Sequence, residues 1–518
     1  MPSRPPTPRR AIAMAMAAVL ALSSCGGGAD SGGGTNAGSS TGKAEIRFGG
    51  TVMSTFDPAL SGVYQQSFLT PVYESLLSRD AAGELVPGLA TEWKLSDDGK
   101  TFDVTLRDGV KFQDGATLNA DAVKRSIERG KNLPKSLVKA QLNVVTSVEA
   151  VDATHVRFHL DGPPGSIGNI LASEAGMIIS PQAVDNPDLA AKPVGTGAYT
   201  LVSKTDSEIV YQAWDGYWNK DAVQNSGIRY VQQQDSSARF RALASGQLDL
   251  IGMDGAQMAE AESAGLKVVQ GASTNLVGIL LNPKAVPEFA DPLVRQAIMR
   301  VIDRQAITDN SGFTGACTPS AQPFPEGYWA HVDGLENDPG LSYDVAAAKD
   351  LLAKAGKSDG FSFTLSTIAF PAFSSLAQIL QAQLDQIGVK VKINVMDTSA
   401  YIVARGAGNL EAGLGQYATG RPDPSAFLQT MYLPDGMYNW GKIDYPGAAD
   451  LLMKSLASTD TAERSAPTHE LINLVTRTGP NLVPICALKQ TFGTSTAVEG
   501  FGTTLLQEYD WRGISVKK

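Results

Sequence analysis

Hydrophobic and polar residues alternate along several short stretches of the chain, and each stretch predicts a strand with one buried face. Between positions 101 and 106 the apolar residues are Phe102, Val104 and Leu106, with polar residues between them. Because successive side chains of a strand point to opposite faces, this spacing is typical of a half-buried strand. The same reasoning predicts strands at 156–160, 361–365 and 389–395, with His155, Arg157 and His159 facing away from the core.

Apolar residues three or four positions apart predict helices between these strands. Asn119 is placed to cap a helix whose Val123 and Ile127 share one face. Helices are also predicted at 346–355 and 376–387, each followed by a glycine that can end it. Strand–helix–strand order at this spacing predicts an α/β protein. The chain has 518 residues, and since single cores stop growing near ~300 residues, more than one lobe is expected.

The first 42 residues predict export and a lipid anchor. Three arginines precede an apolar run at 11–22, which is shorter than the ~20 residues that span a bilayer and is typical of a signal peptide. Residues 22–25 (LSSC) resemble the bacterial lipobox, in which the cysteine, here Cys25, carries the lipid. The alternative is an ordinary cysteine in a cleaved signal. Glycine and serine dominate residues 26–42, so we expect a signal peptide at 1–24 and a flexible tether at 25–42.

Composition narrows the function without naming it. Lys and Arg number 43 against 53 Asp and Glu, a net charge of −10, which disfavours a nucleic-acid partner. Cysteines number only three, too few for a thiolate metal cluster or a disulfide scaffold. Once Cys25 is set aside, Cys317 and Cys486 remain. In an oxidising compartment they form either a disulfide or two separate buried thiols.

Catalytic motifs are incomplete throughout the chain. His469 and Glu470 begin like the zinc-protease HExxH motif, but Asn473 stands where the second histidine is required. His155 and His159 lie on a predicted strand, where paired solvent-facing histidines are usually surface residues. The G-x-S-x-G pattern occurs at 38–42 and 356–360, but the first lies in the tether and the second between a predicted helix and a predicted strand, so neither is on the strand-to-helix turn of a nucleophile elbow. We therefore expect no catalytic residue, no metal and no cofactor, and a protein that binds rather than one that reacts.

Several segments resemble, in order, the peptide/nickel-type extracellular solute-binding proteins of ABC importers, family 5. They cover most of the chain beyond the tether: FDPAL at 56–60, VYESLL at 72–77, LVPGLATEW at 85–93, LRDGVKFQDG at 106–115, PVGTGAY at 193–199, DGYW at 215–218, ALASGQLD at 242–249 and VRQAI to IDR at 294–304. Any one segment alone is a weak signal. Their common order makes the resemblance specific.

The resemblance implies a periplasmic-binding-protein-like fold of class II, cluster C. In this α/β fold two lobes close like a venus flytrap around a ligand, and an additional domain is inserted in the first lobe. The implied boundaries are lobe one at 43–68, 190–283 and 492–518, the inserted domain at 69–189, and lobe two at 284–491. Closure is a hinge motion, and a ligand drives it only by favouring the closed state.

The resemblance also suggests where the ligand binds and where this chain departs from its relatives. In peptide-binding members an acidic residue pairs with the peptide's α-ammonium. Here that position aligns with Gly420, next to Arg421, although Asp423 could serve instead. Dipeptide binders place an arginine just before the helix predicted at 376–387, and residues 369–373 (AFPAF) contain none. Both departures argue against recognition of a free peptide through its two termini.

Six residues are candidates for ligand contact, because aromatic side chains supply contact area and an arginine can fork onto a carboxylate or phosphate. Each also has an ordinary structural alternative: packing within a lobe, a turn, a core position or a solvated surface charge. The candidates are Tyr64, Asn275, Tyr417, Arg421, Asp423 and Trp440.

The expected function is that of a lipid-anchored substrate-binding subunit that captures a peptide or peptide-like solute. Its partners would be an ABC permease and, through it, ATPase subunits, and the protein would be a monomer on the outer side of the membrane. One alternative is the same fold binding a sugar oligomer, a modified peptide or a metal chelate. A secreted lipoprotein hydrolase is a second alternative, but it needs a nucleophile–base pair or an open metal site.

Overall fold

The computed structural model describes residues 42–52, 55–62 and 65–517. The predicted signal peptide, the tether up to residue 41, the lipidation site Cys25 and the candidate Tyr64 lie outside the described residues.

Nineteen strands occur in the described residues. In chain order they are β1 Glu45–Gly50, β2 Leu77–Arg79, β3 Leu85–Pro87, β4 Ala90–Leu95, β5 Thr101–Leu106, β6 Val145–Ala150, β7 His155–Leu160, β8 Tyr199–Lys204, β9 Glu208–Ala213, β10 Gly227–Gln232, β11 Leu250–Gly252, β12 Lys267–Leu281, β13 Cys317–Pro319, β14 Ser362–Ile368, β15 Lys390–Met396, β16 Ala412–Ala418, β17 Leu482–Thr494, β18 Val498–Glu499 and β19 Ser515–Val516.

Thirteen α-helices accompany these strands in the same part of the chain. They are α1 Gln66–Leu69, α2 Ala120–Asn132, α3 Ile167–Leu171, α4 Ser236–Ala244, α5 Met258–Ser263, α6 Pro292–Val301, α7 Arg304–Asn310, α8 Val345–Lys354, α9 Pro371–Asp385, α10 Thr398–Gly406, α11 Pro424–Tyr432, α12 Ala448–Ser455 and α13 Thr461–Thr478.

One large mixed sheet runs through the protein in the order β15-β14-β16-β12-β17-β11-β1-β10-β9-β8, with β13 added on β17. Strands β12 and β17 are long and antiparallel, and their register shifts between Ala272 and Leu276. On one side of the shift β17 also pairs with β11, and on the other β12 pairs with β16. These two strands therefore join a central segment, residues 282–481, to the flanking segments before β12 and after β17.

A separate four-stranded sheet lies within the flanking segments, in the order β4-β5-β7-β6. The apolar residues of β5 and β7 pack into a core with α2, whereas His155, Arg157 and His159 are more exposed, as the alternation predicted. Asn119 caps α2 as predicted, accepting a hydrogen bond from the backbone amide of Ala122 at 2.9 Å.

The predicted helices of the central segment are present with shifted ends. Helix α8 lies within one residue of its predicted bounds. Helix α9 begins at Pro371, five residues before the predicted start, because the proline occupies the first turn, where its missing amide costs nothing, and Ala372 and Phe373 extend the buried face.

The two remaining cysteines are joined in the structure. Cys317 of β13 and Cys486 of β17 form a disulfide with a Cα–Cα distance of 5.7 Å. Because β13 pairs with β17 alone, the disulfide fixes this short strand beside one of the two strands that join the segments.

Candidate functional site

Four of the six candidate residues come together where β12 and β16 lie side by side. In the antiparallel register Asn275 pairs with Ala418 and Leu276 with Tyr417. The backbone amide of Thr419 then donates to the carbonyl of Thr274 at 2.8 Å. The chain leaves β16 at this point, which places Arg421 and Asp423 at the junction between the central and flanking segments.

Arg421 is a buried residue rather than a solvated surface charge. Its side chain is 6% exposed, and its Nη2 donates to Oε1 of Gln66 at 2.8 Å. The same nitrogen lies 3.5 Å from Oε1 of Glu508. Gln66 and Glu508 both belong to the flanking segments, so the guanidinium bridges the two parts of the molecule.

Asp423 is fully engaged inside the protein. Its two oxygens accept hydrogen bonds from Nη1 and Nη2 of Arg464 at 2.9 and 2.7 Å, and Oδ1 also caps α11 through Ser425. Burial raises the pKa of Asp423, but the charge and hydrogen bonds of Arg464 outweigh burial and hold that pKa below its ordinary value. A carboxylate with this many partners favours a structural role over pairing with a ligand's ammonium.

Gly420 has no room for the acidic side chain that the family resemblance implies at this position. A Cβ built on Gly420 would lie 2.6 Å from Cγ2 and 2.9 Å from Oγ1 of Thr274. The close packing of β12 against the loop that comes after β16 therefore favours glycine at this position.

Tyr417 and Trp440 pack against the core of the central segment. The ring of Tyr417 is buried, and burial raises its pKa well above the ordinary value. The guanidinium of Arg405 lies 5.2 Å from the centre of that ring. Trp440 is half-buried beside Gly408, and its indole nitrogen is buried without a hydrogen-bond partner among the described residues. Asn275 is also buried.

Sequence reasoning missed the charged residues that surround Arg421. Arg79 forms an ion pair with Glu508 at 2.6 Å, and its side chain is 1% exposed. Glu174 is buried nearby, and burial raises its pKa despite the attraction of Arg421 and Arg79. No local signal marks these residues, because Arg79 and its partner Glu508 are 429 positions apart in the chain.

Two of the family segments meet in the structure. Glu74, from the segment at 72–77, accepts hydrogen bonds from the Tyr217 hydroxyl at 2.7 Å and from the Trp218 indole at 3.0 Å. Burial raises the pKa of Glu74. These residues line a cavity of about 420 Å³ that extends to Arg79 and Glu508. Segments that resemble the family therefore build this polar cavity within the flanking segments.

The histidines set aside in the sequence are in ordinary surroundings. Nε2 of His469 lies 2.9 Å from the carbonyl oxygen of Trp329. His155 and His159 form surface pairs with Asp152 and Glu149. Among the described residues no group of three or more His, Cys, Asp or Glu is arranged to hold a metal ion. The same residues include no helix with the length and hydropathy needed to cross a bilayer.

An α/β protein whose central sheet is divided by two shared strands, with an additional small domain, has the fold of the two-lobe periplasmic binding proteins. The chain belongs to the bacterial extracellular solute-binding proteins, family 5, whose middle region it matches over residues 84–439. This is a family of ABC-importer binding proteins for peptides or related ligands and not of enzymes.

Individual relatives agree with this assignment. The chain is 33% identical to the glutathione-binding protein GsiB of Salmonella typhimurium over 381 residues, which is 72% of this chain and 73% of that protein. The structure of AgaA from A. tumefaciens R10 in complex with agropinic acid is similar, with a TM-score of 0.77 and 26% identity over 92% of this chain and 99% of that one. DppA of Helicobacter pylori, solved with the peptide STSA, shares the fold with a TM-score of 0.77, 24% identity and coverage of 92% and 98%.

Proposed function

We propose that this protein captures a peptide or peptide-like solute between its two lobes and delivers it intact to the permease of an ABC importer. The observation that carries the proposal is the buried Arg421, which reaches from the central segment to Gln66 across the junction at 2.8 Å. A guanidinium in this position can exchange its protein partners for a carboxylate of the solute in bidentate geometry.

The chemistry of the junction favours a solute that is held by its carboxylates. Gly420 leaves no space for the acid that would receive an α-ammonium, and Asp423 is committed to Arg464. Arg421 remains as a cation at the same place. A relative of this chain binds glutathione, a tripeptide with more than one carboxylate. The proposed solute class is therefore small peptides or modified peptides rich in carboxylates.

The proposal includes the compartment and the boundaries of the lobes. Cys25 would carry a lipid that holds the protein at the outer face of the membrane, where it acts as a monomer beside the permease and its ATPase subunits. Lobe one would comprise 43–68, 190–283 and 492–518, the inserted domain 69–189, and lobe two 284–491. Replacement of Cys25 by alanine tests the anchor, because the protein should then leave the membrane fraction.

Thermal unfolding of the purified protein with a panel of solutes tests the ligand class. The panel contains glutathione, free dipeptides and tripeptides, a sugar oligomer and a metal chelate. A solute present at 100 times its Kd stabilises the folded state by about 2.7 kcal/mol. We expect the largest rise in Tm with a peptide that has several carboxylates, and mass spectrometry should recover it uncleaved. A response to the sugar or chelate alone would overturn the ligand class, and cleavage would favour a hydrolase.

Arg421→Ala with Arg125→Ala as its control tests the residue on which the proposal depends. Arg125 pairs with Asp185 on the surface of the inserted domain, with side chains 37% and 83% exposed. Loss of a hydrogen-bonded charge partner should weaken binding of the solute by at least tenfold for Arg421→Ala. The control should bind as the wild type does. Equal binding by both variants would remove Arg421 from the site.

A further inference from the structure

A second group of contacts joins the inserted domain to the central segment, well apart from the shared strands in the chain. The backbone amide of Gly165 donates to the carbonyl of Leu456 at 2.8 Å. In return, Nη1 of Arg464 donates to the carbonyl of Gly165 at 2.7 Å. Gly165 lies at the end of the loop that comes after β7. Both its amide and its carbonyl are therefore hydrogen-bonded to the central segment.

Two side chains of the flanking segments complete the group. Nδ2 of Asn169, in α3, donates to Oδ2 of Asp423 at 2.7 Å. Nη2 of Arg79 donates to the carbonyl of Pro422 at 2.9 Å. We call these four hydrogen bonds the latch. Three of them involve a charged group, and charge-assisted hydrogen bonds are the stronger class.

The latch can separate without breaking the fold of either side. Asp423 and Arg464 both belong to the central segment and keep each other as partners when the flanking segments move away. Their side chains are only 1% and 2% exposed while the latch is formed. The chain reaches from one side of the latch to the other only through β12 and β17, so a bend in these strands can open it.

We propose that the latch holds the two lobes closed in the absence of solute, so that this protein samples the closed state before it binds. Asp423 is then a residue of lobe closure and not of ligand contact. The latch already favours the closed state over the open state, and a solute that binds the closed state more tightly shifts the equilibrium further in the same direction. This inference rests on the two-lobe fold and is independent of the class of solute.

Gly165 offers a probe that acts only on the closed arrangement. A Cβ at this position would lie 2.6 Å from the carbonyl oxygen of Ser458 and 2.7 Å from the Cα of Leu456, both in the central segment. The φ angle of Gly165 is outside the left-handed region, so the backbone itself accepts alanine. Gly165→Ala therefore clashes with the opposite lobe, and the clash is relieved when the lobes part.

Hydrogen exchange of the solute-free, full-length protein tests the latch. The amide of Gly165 is protected only while it is bonded to Leu456, whereas Ile167 and Ile170 are bonded within the flanking segments. The exchange of Gly165 within peptides covering 161–171 therefore reports opening. We expect these peptides to be protected in the wild type and to exchange about tenfold faster in Gly165→Ala. Small-angle scattering should show a larger radius of gyration for this variant. Gly502→Ala is the matched control, since a Cβ there meets nothing within 4 Å.

Asn169→Ala provides a second variant that removes a latch bond without adding bulk. It should also speed exchange at 161–171, while peptides from β4 to β7 keep the protection of the wild type and show that the domain is folded. The proposal is wrong if residues 161–171 of the solute-free wild type exchange as fast as those of Gly165→Ala. It is also wrong if both variants remain as protected as the wild type. Neither result depends on which solute binds.

Discussion

The two regions where the central segment meets the flanking segments are built in different ways. At the shared strands the connection consists of backbone ladders, buried apolar side chains and a nearby disulfide. At the latch it consists of four hydrogen bonds: two from arginine side chains to backbone carbonyls, one between an amide and a carboxylate side chain, and one between two backbone groups. A ladder and a covalent bond resist separation, whereas a few polar contacts exchange readily for water. The shared strands are therefore a permanent hinge, whereas the latch is a contact that can open.

Removal of the charge at the centre of the latch should have the largest effect. Arg464→Met keeps the packing against Trp329 but leaves Asp423 as an uncompensated buried carboxylate. We expect the free energy of unfolding, measured in urea, to fall by about 3–5 kcal/mol.

The paired variant Asp423→Leu/Arg464→Met separates charge from packing. Because it buries no lone charge, it should recover most of the lost stability. A loss of less than about 1 kcal/mol for Arg464→Met alone would contradict a strongly stabilising Asp423–Arg464 ion pair.

Loss of the disulfide beside the hinge should have the next largest effect. Cys317 and Cys486 are separated by 169 residues, so the bond restricts the unfolded chain strongly. Replacement of both cysteines by alanine should lower the free energy of unfolding by roughly 2–5 kcal/mol. Exchange at 161–171 should remain as in the wild type, because the latch is elsewhere. Faster exchange at 161–171 in this variant would mean that the shared strands and the latch are not independent.

Glu174 beside Arg421 should give a smaller and pH-dependent effect. Burial raises the pKa of Glu174, so the folded protein binds this proton more tightly than the unfolded chain does. Stability from this group is therefore greatest at low pH and falls as pH rises above the ordinary Glu value of about 4.3. Glu174→Gln should raise the free energy of unfolding by about 1–2 kcal/mol at pH 8 and have little effect at pH 4. The reverse pH dependence would contradict this assignment.

The surface histidines should give the smallest effect and serve as a baseline. His155 and His159 form exposed pairs on the separate four-stranded sheet. Replacement of both by alanine should change the free energy of unfolding by no more than about 0.5 kcal/mol. It should leave both solute binding and exchange at 161–171 as in the wild type. A larger change would show that these pairs stabilise the four-stranded sheet.

The local pattern was sufficient for the elements but not for their exact ends. Alternation at 101–106 and 156–160 predicted β5 and β7, and the cap at Asn119 predicted α2. Helix α9 was predicted to begin at 376, whereas it begins at Pro371, since a proline is compatible with a helix's first turn. The candidate site was predicted less well. The sequence pointed to Arg421 and Asp423, but it did not reveal that one bridges the lobes and the other is bound to Arg464.

The amino-acid pattern alone was enough for the element type at the seven stretches with clear periodicity and, through ordered family segments, for the family and its two-lobe fold. Both are properties of neighbouring residues, whose spacing fixes which face becomes buried. The partners of the buried charges depend instead on the three-dimensional arrangement. Asp423 meets Asn169, and Arg79 meets Glu508, across hundreds of residues. Such pairs form only when two surfaces that are distant in the chain come together in the fold. The spacing of neighbouring residues carries no information about that contact.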